Sequence, residues 1–478
     1  MARLKEYNGH YCESEYEYAF IGFLEAEGWI YSSGNNISRV TKRDVLIADD
    51  FKKFIVDTNP DLTEDEVTQI FDNVRLVGSE SDFATLHKVY GWMVDGMQFT
   101  PQDGIARMIP LIDFKKDSNK NIFRVVNQFT VEYTNNGQKE NRRPDVLLFV
   151  NGMPLCVIEL KNPADANATI YDAWEQINIR YWRDIPHLLH YCPLACISDG
   201  VKTRLGTVRT PYEHFYAWRR VNDGDAVSTL PFEETETMIK GVYAPERFLE
   251  IFRDYIYFQD SIYDSDEVEI VCRYPQFFAA RLLKQSIINS VVQKSGKGGT
   301  YFGATGCGKT YTMAFLARQL ALRCTDIPEI GSPTIILIVD RDELQKQGAK
   351  LFTKSKEFLN LGEVAVVKNR AQLRQELGAR QSGGFYICTI QKFCDREDDK
   401  IGLINDRQNI ICFSDEAHRT QLEHSKKIQF SKDADENMKA MVSKPYAKVL
   451  KEAFPQATFI GFTGTPIAET YQTFGDEI

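Results

Sequence analysis

The chain has 478 residues, a length that predicts two or three domains rather than one. Its 43% apolar and 26% charged residues are typical of a protein with sizeable globular cores, and no run approaches the roughly 18 apolar residues that a membrane span needs. The net charge of −10 argues against a large basic nucleic-acid-binding face but leaves room for a local basic groove.

The cysteines and the N-terminus indicate the cellular compartment. Ten cysteines are scattered, and Cys192 and Cys196, the nearest pair, have no matching pair elsewhere, which disfavours structural zinc and a disulfide framework. The first residues, MARLKEYNGHYCESE, lack the apolar segment of a secretory signal. We therefore predict a cytoplasmic protein without a membrane segment.

The first half of the chain alternates between helical and strand patterns. Helical spacing predicts a helix from Glu13 to Trp29 that ends at Gly28. Strand patterns follow between about 120 and 160, among them DVLLFV and LCVIEL around Asn151-Gly152. Residues 169–184 look helical, YCPLACISDG at 191–200 looks like a buried strand, and the acidic stretch 220–270 contains a helix over 245–258.

From about residue 271 onward, apolar strands alternate with helical segments. The strands are GGTYFG, IILIV, GGFYICTI, NIICFSD and ATFIGFTG. This alternation predicts a doubly wound parallel sheet with helices on both faces. We predict an α/β protein with a nuclease domain at 1–222, a connector at 223–270 and an ATPase domain at 271–478.

Three charged residues in the first domain have the layout of a metal-dependent nuclease. Glu159 and Lys161 are two apart on a predicted strand, so their side chains share a face, and Asp145 opens the preceding strand. Two carboxylates can hold Mg²⁺, which acidifies a bound water and neutralises charge on the phosphate. Lys161 would orient the water or stabilise the phosphate, although an ion pair at a strand end gives the same pattern.

The nuclease layout depends on the register of the hairpin. A two-residue Asn151-Gly152 turn would pair Asp145 with Ile158 and put Glu159 on the wrong face. An odd loop of Asn151, Gly152 and Met153 would pair Asp145 with Glu159. We predict the odd loop.

The sequence GATGCGKT at 303–310 predicts a phosphate-binding loop. It lies between a β-prone run and a helical one, and a chance match in a chain of this length is on the order of 1%. Backbone N–H groups and the helix N-terminus would hold the phosphates, Lys309 would reach the terminal phosphates and Thr310 would bind Mg²⁺. The nucleotide contacts expected from this loop are Gly303, Thr305, Gly306, Gly308, Lys309 and Thr310.

Two later motifs complete the expected ATP site. Asp415 and Glu416 follow an apolar strand, which would place a Mg²⁺-binding aspartate and a water-activating glutamate near the γ-phosphate. His418 of the same FSDEAH motif is either a coupling residue or a plain loop histidine. In FTGTP at 462–466, Thr463 and Thr465 are the expected relay, and a strand followed by a proline turn is the simpler interpretation.

With these motifs, the chain resembles the R (restriction) subunit of type I restriction–modification enzymes. The resemblance rests on VVNQFTV, RRPDVLLFVNGMPLCVIELKNP, ISDG, YPQFFAA, GGTYFGATGCGKTYTMAFLAR, FSDEAHRTQ and FIGFTGTPI. It implies a PD-(D/E)xK endonuclease joined to a RecA-like superfamily-two motor that uses ATP and Mg²⁺ to pump double-stranded DNA. It also implies modification and specificity subunits as partners.

The resemblance assigns further roles by position. Asp145, Glu159 and Lys161 become the nuclease triad, and Glu17, or alternatively Glu15, becomes an acidic metal ligand on the first helix. Gln276 matches a glutamine associated with adenine recognition.

The chain departs from the family pattern in two places. The family has a glutamine and a tyrosine one helical turn apart, whereas Gln176 and Tyr181 are five residues apart and would not share a helical face. The chain also stops shortly after FTGTP, which suggests an N-terminal fragment without the second motor domain. ATP is then expected to bind but to turn over very slowly.

Two other functions remain open from the sequence. One is a helicase–nuclease of another defence or repair system, which the RPD…VNG…IELKNP block disfavours. The other is a DNA-binding ATPase with a vestigial nuclease, which the intact acidic pair and lysine disfavour.

Overall fold

The computed structural model separates the chain into two compact units, Met1–Tyr274 and Pro275–Ile478. It describes residues 13–78, 81–116, 118–162, 169–227, 233–259, 267–304, 306–339, 351–354, 356–393, 402–417, 428–432, 438–442, 446–466 and 468–478. Both units mix helices with sheets. No helix among these residues is long and apolar enough to cross a membrane.

The first unit has short helices arranged with a central sheet. Its helices are α1 (Glu13–Ala26), α2 (Ala48–Thr58), α3 (Glu64–Arg75), α4 (Asp82–Asp95), α5 (Ile170–Glu175), α6 (Trp182–Asp184), α7 (Pro186–Leu189), α8 (Glu233–Met238) and α9 (Pro245–Asp254). Two segments are π-helical, Gln176–Tyr181 between α5 and α6 and Ile239–Tyr243 after α8.

The central sheet of the first unit has six strands in the order β1-β4-β7-β8-β9-β10. The strands of this unit are β1 (Ile30–Ser33), β2 (Met97–Phe99), β3 (Arg107–Ile109), β4 (Phe123–Asn127), β5 (Val131–Asn135), β6 (Gln138–Arg142), β7 (Val146–Val150), β8 (Met153–Leu160), β9 (Leu194–Ser198), β10 (Thr203–Thr207), β11 (Ile256–Gln259) and β12 (Val268–Val271). Strands β7 and β8 are buried along their whole length, which explains their nearly continuous apolar sequence.

The β7–β8 hairpin reaches the expected pairing by a different route. The odd loop that we predicted is wrong: Asn151 and Gly152 form a two-residue turn with φ values of 52° and 77°, as a type I′ turn requires. Val150 pairs with Met153 across the turn, but the register shifts after Phe149, and Val146 pairs with Ile158. A β-bulge at Leu155 therefore supplies the extra residue that we had assigned to the loop.

The segment expected as a connector, 223–270, is largely part of the first unit. Its aromatic side chains are buried, because Phe252 and Tyr255 are each 0% exposed. The Trp29 Nε1 donates to the Tyr243 carbonyl at 2.7 Å, and the Tyr90 hydroxyl donates to the Phe252 carbonyl at 2.8 Å. The acidic composition that suggested a linker is therefore compatible with a packed segment.

The second unit is built on a six-stranded sheet with the order β13-β20-β17-β14-β16-β15, and all its pairings are parallel. The strands are β13 (Lys297–Phe302), β14 (Thr334–Val339), β15 (Val364–Val366), β16 (Phe385–Thr389), β17 (Ile410–Asp415) and β20 (Thr458–Thr463), with β18 (Ile428–Lys432) and β19 (Met438–Val442) as a separate pair. Its helices are α10 (Tyr274–Gln293), α11 (Lys309–Arg323), α12 (Lys356–Leu359), α13 (Arg370–Gly378), α14 (Tyr446–Ala453) and α15 (Ala468–Phe474).

Candidate functional site

The two acidic residues of the first unit meet at one end of its sheet. Continuing the register one step beyond the Val146–Ile158 pair sets Asp145 opposite Glu159. The Leu160 backbone N–H donates to Asp145 Oδ2 at 2.7 Å, which ties the start of β7 to the end of β8. Glu159 is 0% exposed. The bulge thus brings the two carboxylates of the predicted triad together.

Lys161 joins the same end of the sheet. Its Nζ lies 3.9 Å from Glu159 Oε2, and its side chain is 15% exposed. The Lys161 backbone N–H donates to the Ser198 carbonyl at 2.8 Å, so the residue continues the β8–β9 pairing just past the strand. The ammonium group of Lys161 therefore lies beside the buried carboxylate of Glu159, and the lysine side chain remains partly exposed to solvent.

Gln176 and Tyr181 meet despite their five-residue separation, and our expectation that they would not share a face is wrong. Residues Gln176–Tyr181 form a π-helix, whose wider turn places residues five apart on one face. The Gln176 Nε2 donates to the Tyr181 hydroxyl at 2.9 Å, and that hydroxyl donates to Glu159 Oε1 at 2.5 Å. The π-helix accommodates the extra residue, so that Tyr181 contacts Glu159 directly and Gln176 contacts Tyr181.

Glu17 lies on α1 at the same end of the sheet. It is 6% exposed, whereas Glu15, the alternative, is half-buried. The Asn127 Nδ2 donates to Glu17 Oε1 at 2.6 Å, and the Gln128 Nε2 donates to the same oxygen at 3.5 Å. Sequence reasoning missed Asn127 and Gln128 as partners of Glu17, since polar residues at a strand end carry no signal of their own.

The electrostatics of this cluster favour a bound cation. Burial raises the pKa of Glu159 well above its usual value, and the nearby Asp145 carboxylate raises it further. Burial also raises the pKa values of Asp145 and Glu17. Among the described residues, Glu159 Oε2 is buried and has no hydrogen-bond partner. A buried acidic pair with an unsatisfied oxygen fits Mg²⁺, which takes one or two carboxylates and keeps several waters.

The ligand set of this cluster is small. Within the described ranges, no three His, Cys, Asp or Glu side chains converge as a ready metal cage. The two carboxylates of Asp145 and Glu159 are therefore the core of the candidate metal centre, and Glu17 contributes negative charge from α1.

The second unit brings its three motifs to neighbouring strands. Strand β13 leads into the phosphate loop, and β20 and β17 are the next two strands in the sheet. The Gly303 N–H donates to the Thr463 carbonyl at 2.9 Å, and Asp415 pairs with Phe462. Because parallel strands present their carboxyl ends at one edge, the loop, Asp415 and the FTGTP segment share that edge.

The charged residues of this edge lie close together. The Lys309 Nζ is 3.5 Å from Glu416 Oε1 and donates to the Gly303 carbonyl at 3.3 Å. Burial raises the pKa of Asp415 to about 6, and the Glu416 carboxylate contributes to that rise. Glu416 has a φ of 47°, an uncommon conformation for a non-glycine residue that is often found at functional sites.

The remaining predicted residues of the ATP site are placed as follows. Gly308, with a φ of 87°, caps α11, and Thr310 lies in the first turn of that helix. The Gln276 Nε2 donates to the Gly308 carbonyl at 3.2 Å, which places Gln276 against the loop. The Thr465 N–H donates to Thr463 Oγ1 at 3.1 Å. Gly306 has a φ of 82° with open space around it, and Thr305 and His418 lie outside the described residues.

Comparison with known families gives one match for each unit. Residues 11–214 match the family described as the type I restriction enzyme R protein N terminus. Residues 275–478 match the SWI2/SNF2 ATPase family. The two matches cover the candidate acidic centre and the phosphate loop, respectively.

Curated relatives match both units in one alignment. The HindI endonuclease subunit of a type I restriction enzyme from Haemophilus influenzae is 31% identical over 97% of this chain and 44% of its own length. A protein from Methanocaldococcus jannaschii, named as the MjaIXP endonuclease subunit of such an enzyme, is 29% identical over 97% of this chain and 43% of its own length. The chain thus spans less than half the length of these relatives.

A solved structure also aligns with part of the chain. A fragment from Vibrio vulnificus YJ016, described as an HsdR subunit of a type I restriction enzyme, aligns with 16% identity over 74% of this chain and 54% of its own. Its TM-score of 0.25 is too low to support a structural argument. The matches to both units and to the curated relatives lead to one assignment. The chain is similar along both units to type I restriction enzyme R proteins, with a region that matches their N-terminal domain ahead of a region that matches the SWI2/SNF2 ATPase family.

Proposed function

We propose that the chain is the part of a restriction subunit that cuts DNA under the control of an ATP-driven motor. The first unit would act as a PD-(D/E)xK endonuclease and the second as a RecA-like motor domain. The supporting observation is the convergence of Asp145, Glu159 and Lys161 at one sheet end, where Glu159 Oε2 is buried without a hydrogen-bond partner among the described residues.

In the nuclease, each residue has a role that follows from its position. Asp145 and Glu159 would hold Mg²⁺, which when bound neutralises charge on the scissile phosphate and acidifies the attacking water. Lys161 would place its ammonium group next to the phosphate oxygens. Tyr181 donates to Glu159 Oε1 and so keeps the other oxygen, Oε2, directed away from the tyrosine. Gln176 fixes the tyrosine hydroxyl.

In the motor, the roles follow the edge of the parallel sheet. The loop from Gly303 to Thr310 would hold the phosphates of ATP, with Lys309 on the terminal ones and Thr310 on Mg²⁺. Asp415 would bind Mg²⁺ directly or through a water molecule that coordinates the metal. Glu416 would orient the attacking water. Gln276 would recognise the base, and its hydrogen bond to the Gly308 carbonyl supports a position beside the loop.

The family suggests the wider context of these two activities. The whole enzyme would translocate double-stranded DNA and cleave it, and modification and specificity subunits would supply recognition of the sequence. A cytoplasmic location follows from that role. The resemblance to the family implies that another subunit, and not this chain, reads the target sequence.

The experiment is a cleavage assay on supercoiled plasmid with Mg²⁺, with and without the modification and specificity subunits and ATP. We expect Glu159→Ala to abolish nicking, whereas Glu175→Ala, an exposed-face glutamate paired with Arg180, leaves it unchanged. Lys309→Ala should abolish ATP-dependent cleavage of the assembled enzyme. Nicking that survives Glu159→Ala would reject the nuclease assignment, and ATP-dependent cleavage that survives Lys309→Ala would reject the motor assignment.

A further inference from the structure

A cavity of about 300 Å³ lies at the outer edge of the first sheet, beside β10. Three cationic side chains line it, those of Lys202, Arg204 and Arg219, with two acidic ones, Glu213 and Glu234. We call these five residues and the enclosed space the cationic cavity.

The cationic side chains of this cavity keep their donor groups available. Among the described residues, the side chains of Lys202, Arg204 and Arg219 make no ion pair within 4.0 Å. The Arg204 guanidinium lies 5.8 Å from the centre of the Tyr212 ring, a cation–π contact that leaves its charge in place. Glu234 accepts a hydrogen bond from the Thr203 N–H at 3.1 Å, and with Glu213 it sets two formal negative charges against the three positive ones. The cavity therefore has a formal excess of one positive charge and presents donors for an anion.

The wall of the cavity is reinforced from behind. Tyr216 pairs with Leu205 as an isolated bridge, so the segment that carries it extends the sheet beyond β10. The Arg273 guanidinium stacks on the Tyr216 ring at 3.6 Å from its centre and adds a further positive charge behind it. These contacts hold the Tyr216 ring in place, so a charged ligand could bind beside it without a change in the position of the ring.

The location of the cationic cavity relates it to the cutting centre. Glu159 lies at the end of β8, Ser198 at the end of β9 and Thr203 at the start of β10, and these strands are neighbours. Lys202 is thus at the same end of the sheet as Glu159, two strands away. At about 4.8 Å between strands, this separation is about 10 Å. Phosphates of B-DNA are spaced about 3.4 Å apart along the axis of each strand, so the distance corresponds to roughly three nucleotides.

We propose that the cationic cavity binds the backbone phosphates of DNA a few nucleotides from the scissile bond. This inference rests on the proposed nuclease function and specifies where its substrate is held. The chain carries a net charge of −10, so a DNA duplex would be repelled overall and needs a local cationic contact next to the cutting centre. The three cationic side chains of the cavity, which outnumber its two carboxylates, provide that contact, and DNA is the polyanion that the neighbouring acidic centre would act on.

The test measures DNA binding rather than cleavage, so that it does not depend on the metal centre. A fluorescent 30-base-pair duplex is titrated with the full chain in EDTA, and anisotropy is recorded from about 50 to 200 mM salt. The variant is Lys202→Gln/Arg219→Gln. The matched control is Lys116→Gln/Lys139→Gln, which removes two exposed lysines of the same unit, Lys139 being 84% exposed.

Each lost phosphate contact lowers the slope of log K against log salt by about 0.9. We therefore expect the Lys202→Gln/Arg219→Gln variant to have a slope shallower by about 2 than the wild type, and the control to keep the wild-type slope. An unchanged slope in the variant would overturn the proposal. So would equal loss in the control, because it would indicate nonspecific charge attraction.

Two further results separate this proposal from the nuclease assignment. If Glu159-dependent nicking is present but the slope does not change, the cationic cavity is rejected and the nuclease stands. If the slope changes as expected but nicking survives Glu159→Ala, the DNA contact stands and the catalytic assignment fails. Displacement of the duplex by polyglutamate at equal charge concentration, dependent on Lys202 and Arg219, would assign the cavity to an acidic protein instead.

Discussion

Tyr181 is the residue through which the helix after β8 acts on the acidic centre. Its hydroxyl is buried and donates to Glu159 Oε1 at 2.5 Å. Hydrogen bonds to a charged group contribute about 1.5–3 kcal/mol, and this one favours the ionised form of Glu159. Burial opposes that form, so the tyrosine offsets part of the cost of a buried carboxylate.

Tyr181→Phe removes the hydroxyl and keeps the ring. We expect the pKa of Glu159 to rise further, so the rate of nicking should fall about tenfold at neutral pH and recover as the pH increases. The measurement is the pH profile of plasmid nicking. Tyr133→Phe is the matched control, because the Tyr133 hydroxyl donates to a different carboxylate, that of Glu140, at 2.6 Å. A profile that keeps its shape with only a uniform loss would show that Tyr181 has a purely structural role.

Glu269 is a second buried carboxyl group, and it belongs to none of the motifs that are proposed to be catalytic. It is 4% exposed, and among the described residues neither of its carboxylate oxygens has a hydrogen-bond partner. Burial raises its pKa well above the usual value. Because the folded state holds the proton more tightly than the unfolded state, this group favours folding at low pH, and that contribution is lost as the pH rises toward the folded pKa.

Glu269→Gln should therefore stabilise the first unit relative to the wild type at pH 8 and much less at pH 5. The expected difference grows by about 1.4 kcal/mol for each pH unit between the unfolded and folded pKa values. Urea unfolding at both pH values measures it. Glu25→Gln, an exposed change on α1, should give the same small effect at both. A pH-independent effect of Glu269→Gln would contradict the prediction.

At the scale of elements, the hairpin and the π-helix show what the sequence could and could not predict. The strands β7 and β8, the pairing of Asp145 with Glu159 and the parallel second sheet were all accessible from apolar runs and spacing. The bulge at Leu155 could not be predicted, because one extra residue in the turn and one extra residue in the strand both pair Asp145 with Glu159. The π-helix at Gln176–Tyr181 was missed because helical spacing assumes an α-helix.

Gly152 connects that hairpin to α2. It has a φ of +77°, and a Cβ there would lie 2.2 Å from the Ile47 carbonyl oxygen and 2.9 Å from the Phe51 nitrogen. The Ile47 N–H also donates to the Gly152 carbonyl at 2.8 Å, so the start of α2 lies directly against the turn. The turn is therefore fixed by close packing as well as by its dihedral angles.

Gly152→Ala should destabilise the first unit by about 2–4 kcal/mol, through backbone strain together with a clash against backbone atoms. Gly137→Ala is the matched control, because Gly137 follows Asn136 in a turn with the same φ of +77° and has open space around it. Gly137→Ala introduces the backbone strain without the clash and should lower the free energy of unfolding by about 1 kcal/mol. Urea midpoints of both variants measure the difference, and equal midpoints would refute the role of the contact with α2.

At the scale of the whole molecule, the division into two compact units separates the two proposed chemistries. The acidic centre belongs entirely to residues before Tyr274, and the phosphate loop and its partner strands belong entirely to residues after Pro275. A ligand that binds the native form of one unit stabilises that unit by mass action. Nucleotide binding therefore offers a way to test the assignment of the second unit separately from the first.

Mg²⁺-ATP at a hundredfold excess over its Kd should stabilise the second unit by about 2.7 kcal/mol. Hydrogen exchange measured by mass spectrometry should then slow in peptides from β13, α11 and β17, and remain unchanged in peptides from β7 and β8. Lys309→Ala should abolish this protection, because it removes the cation that we propose binds the terminal phosphates and that lies 3.5 Å from Glu416. Lys356→Ala, an exposed change on α12, should leave the protection intact. Protection that persists in Lys309→Ala would mean that nucleotide binds elsewhere, and protection that extends to β7 and β8 would mean that the acidic centre responds directly to nucleotide.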